Sequence, residues 1–369
     1  MWSNCSRRQA EVAHHPLMPH LVVSISGHGY GHVAQVAPVL NQLHRRMPQL
    51  RLTVRSSVPP SYLRSRIQAP FAYLQSEGDI GMVMSSALDI DIEHSRAAYR
   101  SFHQDWEART VAEARLLHGL GADMVLSNVG YLPLAGAKLA GIPNAALCSL
   151  NWFDIYHHYC GDDHIAAQIH ECYAGADAFL RATPGMAMAY LPNLVVIPPV
   201  ATVGLNRRAE LDRQLGISKK LVLVSMGGIQ SRLPIEHWPH IDGVRWLVQE
   251  NWQVEHPDAI TIESLPMSFS DLLASSDALL CKPGYGSFVE AAASGTPVLY
   301  VSRADWPESP VLAEWLRQHG LCREISRVSL YRGDFAGALS EICNTPHPEP
   351  MIPDGARLAA GWITERLKK

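Results

Sequence analysis

Two glycine-rich turns, one near each end of the chain, constrain the fold more than any other feature. The turn at residues 27–32 follows an apolar run at 21–25, and the turn at 282–286 follows an apolar run at 278–281. A helix-like pattern begins directly after each turn. This order of strand, glycine turn and helix points free backbone N–H groups at a polar or anionic ligand. Two such turns in separate halves predict one ligand held between two domains.

Length and charge narrow the class of protein. A chain of 369 residues exceeds the size at which one hydrophobic core keeps growing, so two domains are expected. The charged fraction is 18% and the formal net charge is -4. The sequence has no basic stripe of the kind that tracks nucleic acid, so we predict no nucleic-acid partner. Any phosphate bound by this chain must then rely mainly on backbone dipoles.

Strand-like and helix-like segments alternate in both halves. Strands are predicted at 21–25, 52–55, 122–127 and 142–147, and again at 221–225, 278–281 and 297–301. A stretch at 192–208 that contains several prolines separates the two regular regions. Such alternation predicts an α/β fold with parallel sheets, here two Rossmann-like domains with a ligand cleft between them. The expected bounds are 17–200, 201–350 and a C-terminal helix at 351–369 that packs back on the N-terminal domain.

The cysteines and the N-terminus predict a cytoplasmic protein. The seven cysteines are dispersed and odd in number, which predicts reduced thiols and no disulfide framework. The N-terminus lacks the apolar segment of a secretory signal, and no apolar run reaches the roughly 18 residues of a membrane span. The histidine-rich region at 156–172 matches no common zinc spacing, so neither a metal nor a cofactor is predicted.

The second glycine turn carries most of the predicted ligand chemistry. Gly284 and Gly286 let the backbone pass close to a bulky anion, and Lys282 could add a charge-assisted contact. Glu290 lies one helical turn further, within reach of a sugar hydroxyl pair. Another turn at 226–230 follows a strand that is predicted to neighbour this one. Open parallel sheets bind ligands in the crevice at the carboxyl ends of neighbouring strands. The alternative is a strand–turn–helix connection whose glycines serve only packing.

The first glycine turn offers a candidate general base. His32 lies at a predicted helix start, where the positive helix end lowers the pKa of an imidazole and keeps it neutral. A neutral imidazole can accept a proton from an attacking hydroxyl, and His28 is the second candidate. The alternative is that either histidine only hydrogen-bonds the backbone of a tight turn.

The motifs at 27–32, 226–230 and 282–297 resemble those of GT-B glycosyltransferases. They are most similar to the MurG-like lipid II N-acetylglucosaminyltransferases and to the glycosyltransferase-like N-terminal half of L-arabinokinases. The resemblance spans roughly residues 21–316. It implies transfer of a hexosyl or N-acetylhexosaminyl group from a nucleoside diphosphate sugar, with UDP as the expected nucleotide, to a hydroxyl acceptor with inversion.

The resemblance also implies roles for individual residues. His32 becomes the catalytic base, Glu290 the ribose contact, and Asp305 or Glu308 the contact to the donor sugar. The donor base is read by a loop containing Leu265, Pro266 and Met267. The donor diphosphate is held by residues of the second-half turns, namely Gly227, Gly228, Gln230, Lys282, Gly284, Tyr285, Gly286 and Ser287.

The side chains of the acceptor pocket are predicted from their positions directly after two strands of the first half. Asn128 ends one of these strands, and Asn151, Trp152 and Asp154 follow the next. Many relatives carry an aspartate where this chain has Asn128, and a neutral amide orients a histidine less strongly than a carboxylate. A charged partner for His32 would then have to come from Asp79, Asp89 or Asp154.

Two other functions fit the same fold class. A UDP-sugar 2-epimerase would need several carboxylates in the cleft and would convert the donor without an acceptor. A noncatalytic nucleotide-sugar-binding protein would bind the donor without turnover. The predicted partners are therefore a small-molecule nucleotide sugar and an unidentified hydroxyl acceptor, with no integral membrane segment and an oligomeric state that the sequence leaves open.

Overall fold

The computed structural model describes residues 18–216, 219–228 and 232–368. Gln230 and the N-terminal segment 1–17 lie outside the described residues. The expectations placed on them, a diphosphate contact and the lack of a secretory signal, therefore stay predictions.

The first half forms a lobe around a parallel sheet whose strands lie in the order β3-β2-β1-β4-β5-β6-β7. Its strands are β1 His20–Ile25, β2 Arg51–Ser56, β3 Ala72–Gln75, β4 Met124–Asn128, β5 Asn144–Cys148, β6 Ala178–Ala182 and β7 Leu194–Ile197. Its helices are α1 Gly31–Arg46, α2 Pro60–Arg66, α3 Ile92–His103, α4 Trp106–Leu120, α5 Leu132–Leu139, α6 Trp152–Cys160 and α7 His164–Ala174. The central strands β1, β4 and β5 are buried along their whole length, as expected for a parallel sheet covered on both faces.

The second half forms a lobe around a parallel sheet with the order β10-β9-β8-β11-β12-β13. Its strands are β8 Lys220–Ser225, β9 Val244–Val248, β10 Ala259–Thr261, β11 Ala278–Cys281, β12 Val298–Val301 and β13 Cys322–Ile325. The helices of this half of the chain are α8 Arg208–Leu215, α9 Phe269–Ser275, α10 Tyr285–Ser294, α11 Ser309–His319, α12 Arg327–Arg332, α13 Ala336–Asn344 and α14 Gly355–Leu367. Both sheets therefore place the carboxyl ends of neighbouring strands at one edge.

Strand register decides which loops meet at those edges. In the first lobe Ile25 of β1 lies opposite Asn128 of β4, so the turn after β1 meets the end of β4. In the second lobe Cys281 of β11 pairs with Ser225 of β8 and with Tyr300 of β12. The segments that follow these three strands are consequently neighbours, and the crevice at their carboxyl ends is where open α/β sheets bind ligands.

The two lobes meet through α1 and α10. A Cβ atom on Gly286 would lie 2.8 Å from the Cβ of Ala34, so the small residue permits the close approach of these helices. Helix α14, although last in the chain, lies against α1, and Arg46 Nη2 donates to the carbonyl of Arg357 at 3.1 Å. The domain bounds expected at 200/201 and 350/351 are compatible with these contacts and stay predictions.

The described cysteines form no disulfide bonds, and the described helices are not of the membrane-spanning kind. The six cysteines within the described ranges are all free, and Cys148, Cys172 and Cys281 are buried. Within those same ranges no helix combines the length with the apolar character that crossing a bilayer requires.

Candidate active site

The glycine turns of the two lobes face one another across a cleft of about 680 Å³, counted with the solvent at its mouth. His32 and Tyr30 line it from the first lobe, and Lys282 and Ser287 line it from the second. The structure thus brings together most residues predicted for the base and the diphosphate site, including Gly227, Gly228, Gly284, Tyr285 and Gly286.

His32 is oriented by the residue at the end of the neighbouring strand. Its Nδ1 lies 2.7 Å from Oδ1 of Asn128. An amide oxygen can only accept, so Nδ1 carries the proton and Nε2 keeps its lone pair. Burial lowers the pKa of His32 to about 4, although the hydrogen bond that His32 donates to Asn128 raises it in part. His32 is thus a neutral imidazole at pH 7 with an unprotonated nitrogen.

The three carboxylates considered as partners of His32 are engaged elsewhere. Asp79 accepts a hydrogen bond from Ser26 Oγ at 3.0 Å, and Asp89 pairs with Arg327. Asp154 accepts from Tyr190 at 2.8 Å. Among the described contacts, Asn128 is therefore the side chain that holds His32 by a short hydrogen bond.

His28 has the opposite arrangement of its ring nitrogens. The backbone N–H of Met82 donates to Nδ1 of His28 at 3.4 Å, which leaves the proton on Nε2. The ring stacks on Trp306 at a centroid distance of 5.9 Å and meets Trp152 edge-on at 5.1 Å. Burial, helped by the positive charges of Lys282 and Arg303, holds the pKa of His28 well below its usual value. His28 therefore presents an N–H donor, whereas His32 presents an acceptor.

Two cations line the second-lobe side of the cleft. Lys282 follows β11, and Nζ donates to the carbonyl of Ala87 at 3.1 Å. Burial and, to a smaller extent, the nearby charge of Arg303 lower the pKa of Lys282 to about 7. Arg303 follows β12 and lies over the ring of Trp306 at 4.3 Å, and its buried Nε has no partner within the described residues. The sequence analysis had not assigned Arg303, although its place after a strand matches that of Lys282.

The first turn of α10 adds backbone donors beside these cations. Helix α10 begins at Tyr285, so its first N–H groups have no partner within the helix and point toward the cleft. Gly228 faces this point from β8, and a Cβ there would lie 2.6 Å from the ring of Tyr30. Two cations and a helix terminus thus create a region of positive potential suited to a diphosphate.

One of the two predicted sugar-binding carboxylates lies in the cleft. Glu308 lines it and accepts a hydrogen bond from Ser149 Oγ at 2.5 Å, and burial raises the pKa of this carboxyl. Gln35 donates to the same Ser149 at 2.9 Å. Asp305 does not line the cleft, because its carboxylate turns toward Arg327, 3.8 Å away.

A second compartment of about 480 Å³ continues the cleft past the start of α10. Glu290, the predicted ribose contact, lines it and is paired with Arg66 from the first lobe. The side chains of these two residues are 6% exposed for Arg66 and 3% exposed for Glu290. The rings of Tyr30 and Tyr62 stack at 3.8 Å along the same compartment. Arg66 and Tyr62 were not predicted, since they lie more than two hundred positions from Glu290 in the chain.

The loop predicted to read the donor base does not line this compartment. The N–H of Leu265 is bonded to the carbonyl of Ile262 at 3.1 Å, and the N–H of Met267 to the carbonyl of Leu265 at 2.8 Å. Pro266 carries no N–H. Phe269 and Gln249 line the compartment instead.

The four side chains predicted for the acceptor pocket lie outside the lining of the cleft. Asn151 caps α6 by accepting the N–H of Asp154 at 2.8 Å, and its amide also donates to that carboxylate at 3.0 Å. Trp152 is fully buried beneath the two histidines. None of these three side chains lines the cleft, whereas Leu150 does. Asn128 contributes through His32 and not by facing the cleft.

No protein-family model matches this chain. Among curated proteins, L-arabinokinase of Arabidopsis thaliana is 27% identical over 359 residues, which cover 94% of this chain. The chain spans only 34% of the length of that relative. The similarity thus covers nearly all of this chain and about a third of that protein.

Solved structures share the whole architecture. The glycotransferase of kitacinnamycin matches with a TM-score of 0.59 at 15% identity, covering 96% of both chains. MnaA of S. aureus, solved with UDP, matches with a TM-score of 0.59 at 14% identity, covering 95% of this chain and 96% of that one. MurG of Acinetobacter baumannii matches with a TM-score of 0.51 at 14% identity, covering 94% and 99%. The chain has the GT-B fold, and the predicted fold class and resemblance are confirmed.

Proposed function

We propose that this protein transfers a sugar from a UDP-linked donor to a hydroxyl acceptor with inversion. The observation that carries the proposal is the meeting of opposite chemistries in one cleft. His32 offers an unprotonated nitrogen on one side, and Lys282, Arg303 and the start of α10 offer positive potential on the other. A base for the acceptor and a site for a departing diphosphate are what glycosyl transfer requires.

The reaction can be written with these groups. The acceptor oxygen bonds to the anomeric carbon while its proton passes to Nε2 of His32. The bond from that carbon to the diphosphate oxygen breaks, and its electron pair stays with the diphosphate. Lys282, Arg303 and the first turn of α10 stabilise the growing negative charge. His28 donates from Nε2 to a substrate oxygen, and direct attack from the opposite face inverts the anomeric carbon.

The residues of the cleft also favour particular substrates. Glu290 and Arg66 border the compartment beyond the diphosphate site, where a nucleoside would lie. MnaA was solved with UDP, which makes uracil the first base to test. Glu308 would accept hydrogen bonds from hydroxyls of a hexosyl or N-acetylhexosaminyl group. Such a donor and the free thiols favour the cytoplasm as the place of reaction.

Incubation with UDP-sugars, with and without a small-molecule extract, tests the proposal. Extract-dependent release of UDP together with a new glycosylated product by mass spectrometry is the expected result. Isomerisation of the sugar without an acceptor would instead identify a UDP-sugar 2-epimerase. An epimerase would need several carboxylates in the cleft. Among the described residues that line the cleft between the glycine turns, Glu308 is the one carboxylate. Binding without turnover would leave a noncatalytic binding protein, and no binding of any nucleotide sugar would refute the proposal.

Lys282→Met is expected to lower the affinity for UDP by about 10- to 100-fold, the usual worth of a charged hydrogen bond. Wild-type affinity should fall as the pH rises above about 7, because the pKa of Lys282 lies there and the neutral amine attracts phosphate weakly. Titration calorimetry between pH 6 and 9 should show this slope for the wild type and a flat profile for the variant. Lys368→Met, at an exposed site just after the last helix, should behave as wild type.

Asn128→Asp is expected to shift the acid limb of the activity profile upward. A carboxylate within hydrogen-bond distance of His32 favours the charged imidazolium, raising the pKa from about 4 by roughly one to three units. The base is lost as the pH falls through this value, so the variant should lose activity at a higher pH than the wild type. A pH–rate profile of each protein checks the shift, and identical acid limbs would contradict the role given to Asn128.

A further inference from the structure

The connection between β3 and α3 leaves the first lobe, inserts its tip into the second lobe and returns to α3. We call residues 81–91 the strap. Ala87 and Leu88, at its tip, are 0% and 1% exposed. Both belong to the apolar cluster of the second lobe, which includes Val224 of β8 and Leu280 of β11. A segment of one lobe therefore completes the core of the other.

Polar contacts hold the strap in a single conformation. Within it, the N–H of Asp91 donates to the carbonyl of Val83 at 2.9 Å, and that of Ser85 to the carbonyl of Asp89 at 3.0 Å. Across to the second lobe, Arg327 pairs with Asp89 and donates to the carbonyl of Leu88 at 3.3 Å. The tip is thus fixed by apolar burial and by an ion pair at its rim.

The same strap touches three groups of the cleft. The carbonyl of Ala87 accepts from Nζ of Lys282 at 3.1 Å. The sulfur of Met84 lies 3.9 Å from Nη2 of Arg303, and the N–H of Met82 faces Nδ1 of His28 at 3.4 Å. Both cations belong to the second lobe, so the first lobe reaches across the cleft to the groups that would hold the diphosphate.

The contact to Lys282 is the most consequential of the three. A buried ammonium is costly without a partner, and no carboxylate lies within salt-bridge distance of Lys282 among the described residues. The carbonyl of Ala87 is the recorded hydrogen-bond acceptor for Nζ. The direction of this side chain is thus set by a backbone atom that depends on the seating of Leu88.

We propose that the strap is a positioning element, with Leu88 as its anchor: seating of Leu88 in the second lobe fixes the carbonyl of Ala87, which holds Lys282 toward the phosphate subsite. The subsite is then complete only when the two lobes are joined through the strap. The identity of the ligand rests on the proposed function, whereas the docking of the strap and the orientation of Lys282 do not.

Amide hydrogen exchange of the ligand-free protein tests the docking. Peptides covering the strap should exchange slowly in the wild type and at least tenfold faster in Leu88→Asn, because an amide side chain cannot be buried there without a partner. Leu139→Asn makes the same change at a site that is 57% exposed on α5, and it should match the wild type. Exchange in the wild-type strap at the rate of an unstructured peptide would overturn the proposal.

The orientation of Lys282 can be followed without any nucleotide. Nuclear magnetic resonance titration of its side chain should give a pKa near 7 in the wild type and a value at least one unit higher in Leu88→Asn, since release of the strap exposes the ammonium to water. An unchanged titration in a variant with a released strap would overturn the positioning role. Asp89→Asn removes the ion pair at the rim, whereas its amide oxygen can still accept from Ser86 Oγ. It should shift exchange and titration in the same direction by a smaller amount, so it serves where Leu88→Asn fails to fold.

Calorimetry with UDP separates this inference from the proposed function. UDP should bind Leu88→Asn about five- to tenfold more weakly than the wild type, and Leu139→Asn equally well. Equal binding by Leu88→Asn would overturn the positioning role and leave the donor proposal intact. The wild type could bind no UDP while its strap is protected and the titration of Lys282 responds to Leu88→Asn. That result would refute the donor proposal and leave the positioning role of the strap intact.

Discussion

His32→Ala is expected to lose sugar transfer by a factor of about 100 to 10,000, the usual worth of a positioned general base. The imidazole is neutral and oriented by Asn128 at 2.7 Å, so removing it leaves the acceptor hydroxyl without a proton acceptor. Affinity for UDP should stay within about twofold of the wild type, because Lys282, Arg303 and the start of α10 remain. Steady-state kinetics and calorimetry on one preparation measure both quantities.

The matched control is His118→Ala, which removes an exposed imidazole at the end of α4, on the same lobe. It should leave transfer and binding unchanged. Turnover that persists in His32→Ala would move the base to another group. A parallel loss of UDP affinity would show instead that His32 acts in binding.

Arg66→Met is expected to destabilise the protein by about 3–5 kcal/mol, since it leaves the carboxylate of Glu290 buried without its partner. Burial already raises the pKa of Glu290, and Arg66 opposes that effect. Without Arg66 the pKa of Glu290 rises further, so the folded protein keeps a proton on this carboxyl at pH values where the unfolded chain has released it. Stability should therefore fall as the pH rises above about 4.3, the unfolded value, and the deficit should be larger at pH 8 than at pH 5. Urea unfolding at both pH values measures it.

Two variants distinguish burial from charge in this result. Arg317→Met breaks a pair whose side chains are 50% and 61% exposed, and its cost should stay within about 0.5 kcal/mol. Adding Glu290→Gln to Arg66→Met removes the stranded carboxylate and should restore part of the stability. A deficit in Arg66→Met that is independent of pH would contradict the stranded-charge explanation.

Several strands could be predicted because most of their residues are apolar. β1, β8, β11 and β12 lie within one residue of the predicted spans, whereas β4 and β5 begin two residues later than expected. The edge strands β3, β7, β10 and β13 were not predicted, and neither were the interior strands β6 and β9. β7 is an apolar run, but it lies inside the proline-containing stretch 192–208, and β6, β9 and β13 each carry an arginine. Pairing with neighbouring strands makes these segments strands.

The two histidines show a different limit of sequence information. Position at a helix start predicted His32 as a base, and the structure gives it a free Nε2. The same local pattern could not separate it from His28. The difference between them arises from Asn128 and from the backbone of Met82, both of which are far away in the chain.

The acceptor side shows why position after a strand is insufficient. Asn151 and Asp154 follow β5 as expected, yet their polar groups bond to one another across the first turn of α6. Asn and Asp are favoured both at helix caps and in binding sites, so residue type alone does not decide between them. The distance of the side chain from the cleft decides whether it acts as a helix cap or in binding. That distance is a property of the folded chain.

The sequence alone determined two Rossmann-like halves and the two turns that form the cleft, because apolar runs and glycine turns act over a few neighbouring residues. The resemblance of its motifs to those of a known family added the GT-B assignment. Only the tertiary structure decided which groups surround the ligand space. Arg66 meets Glu290, Ser149 meets Glu308, and the strap meets Lys282 across the gap between the lobes. These contacts join residues more than one hundred and fifty positions apart, and their geometry depends on strand register and on the packing of α1 against α10, which no local pattern encodes.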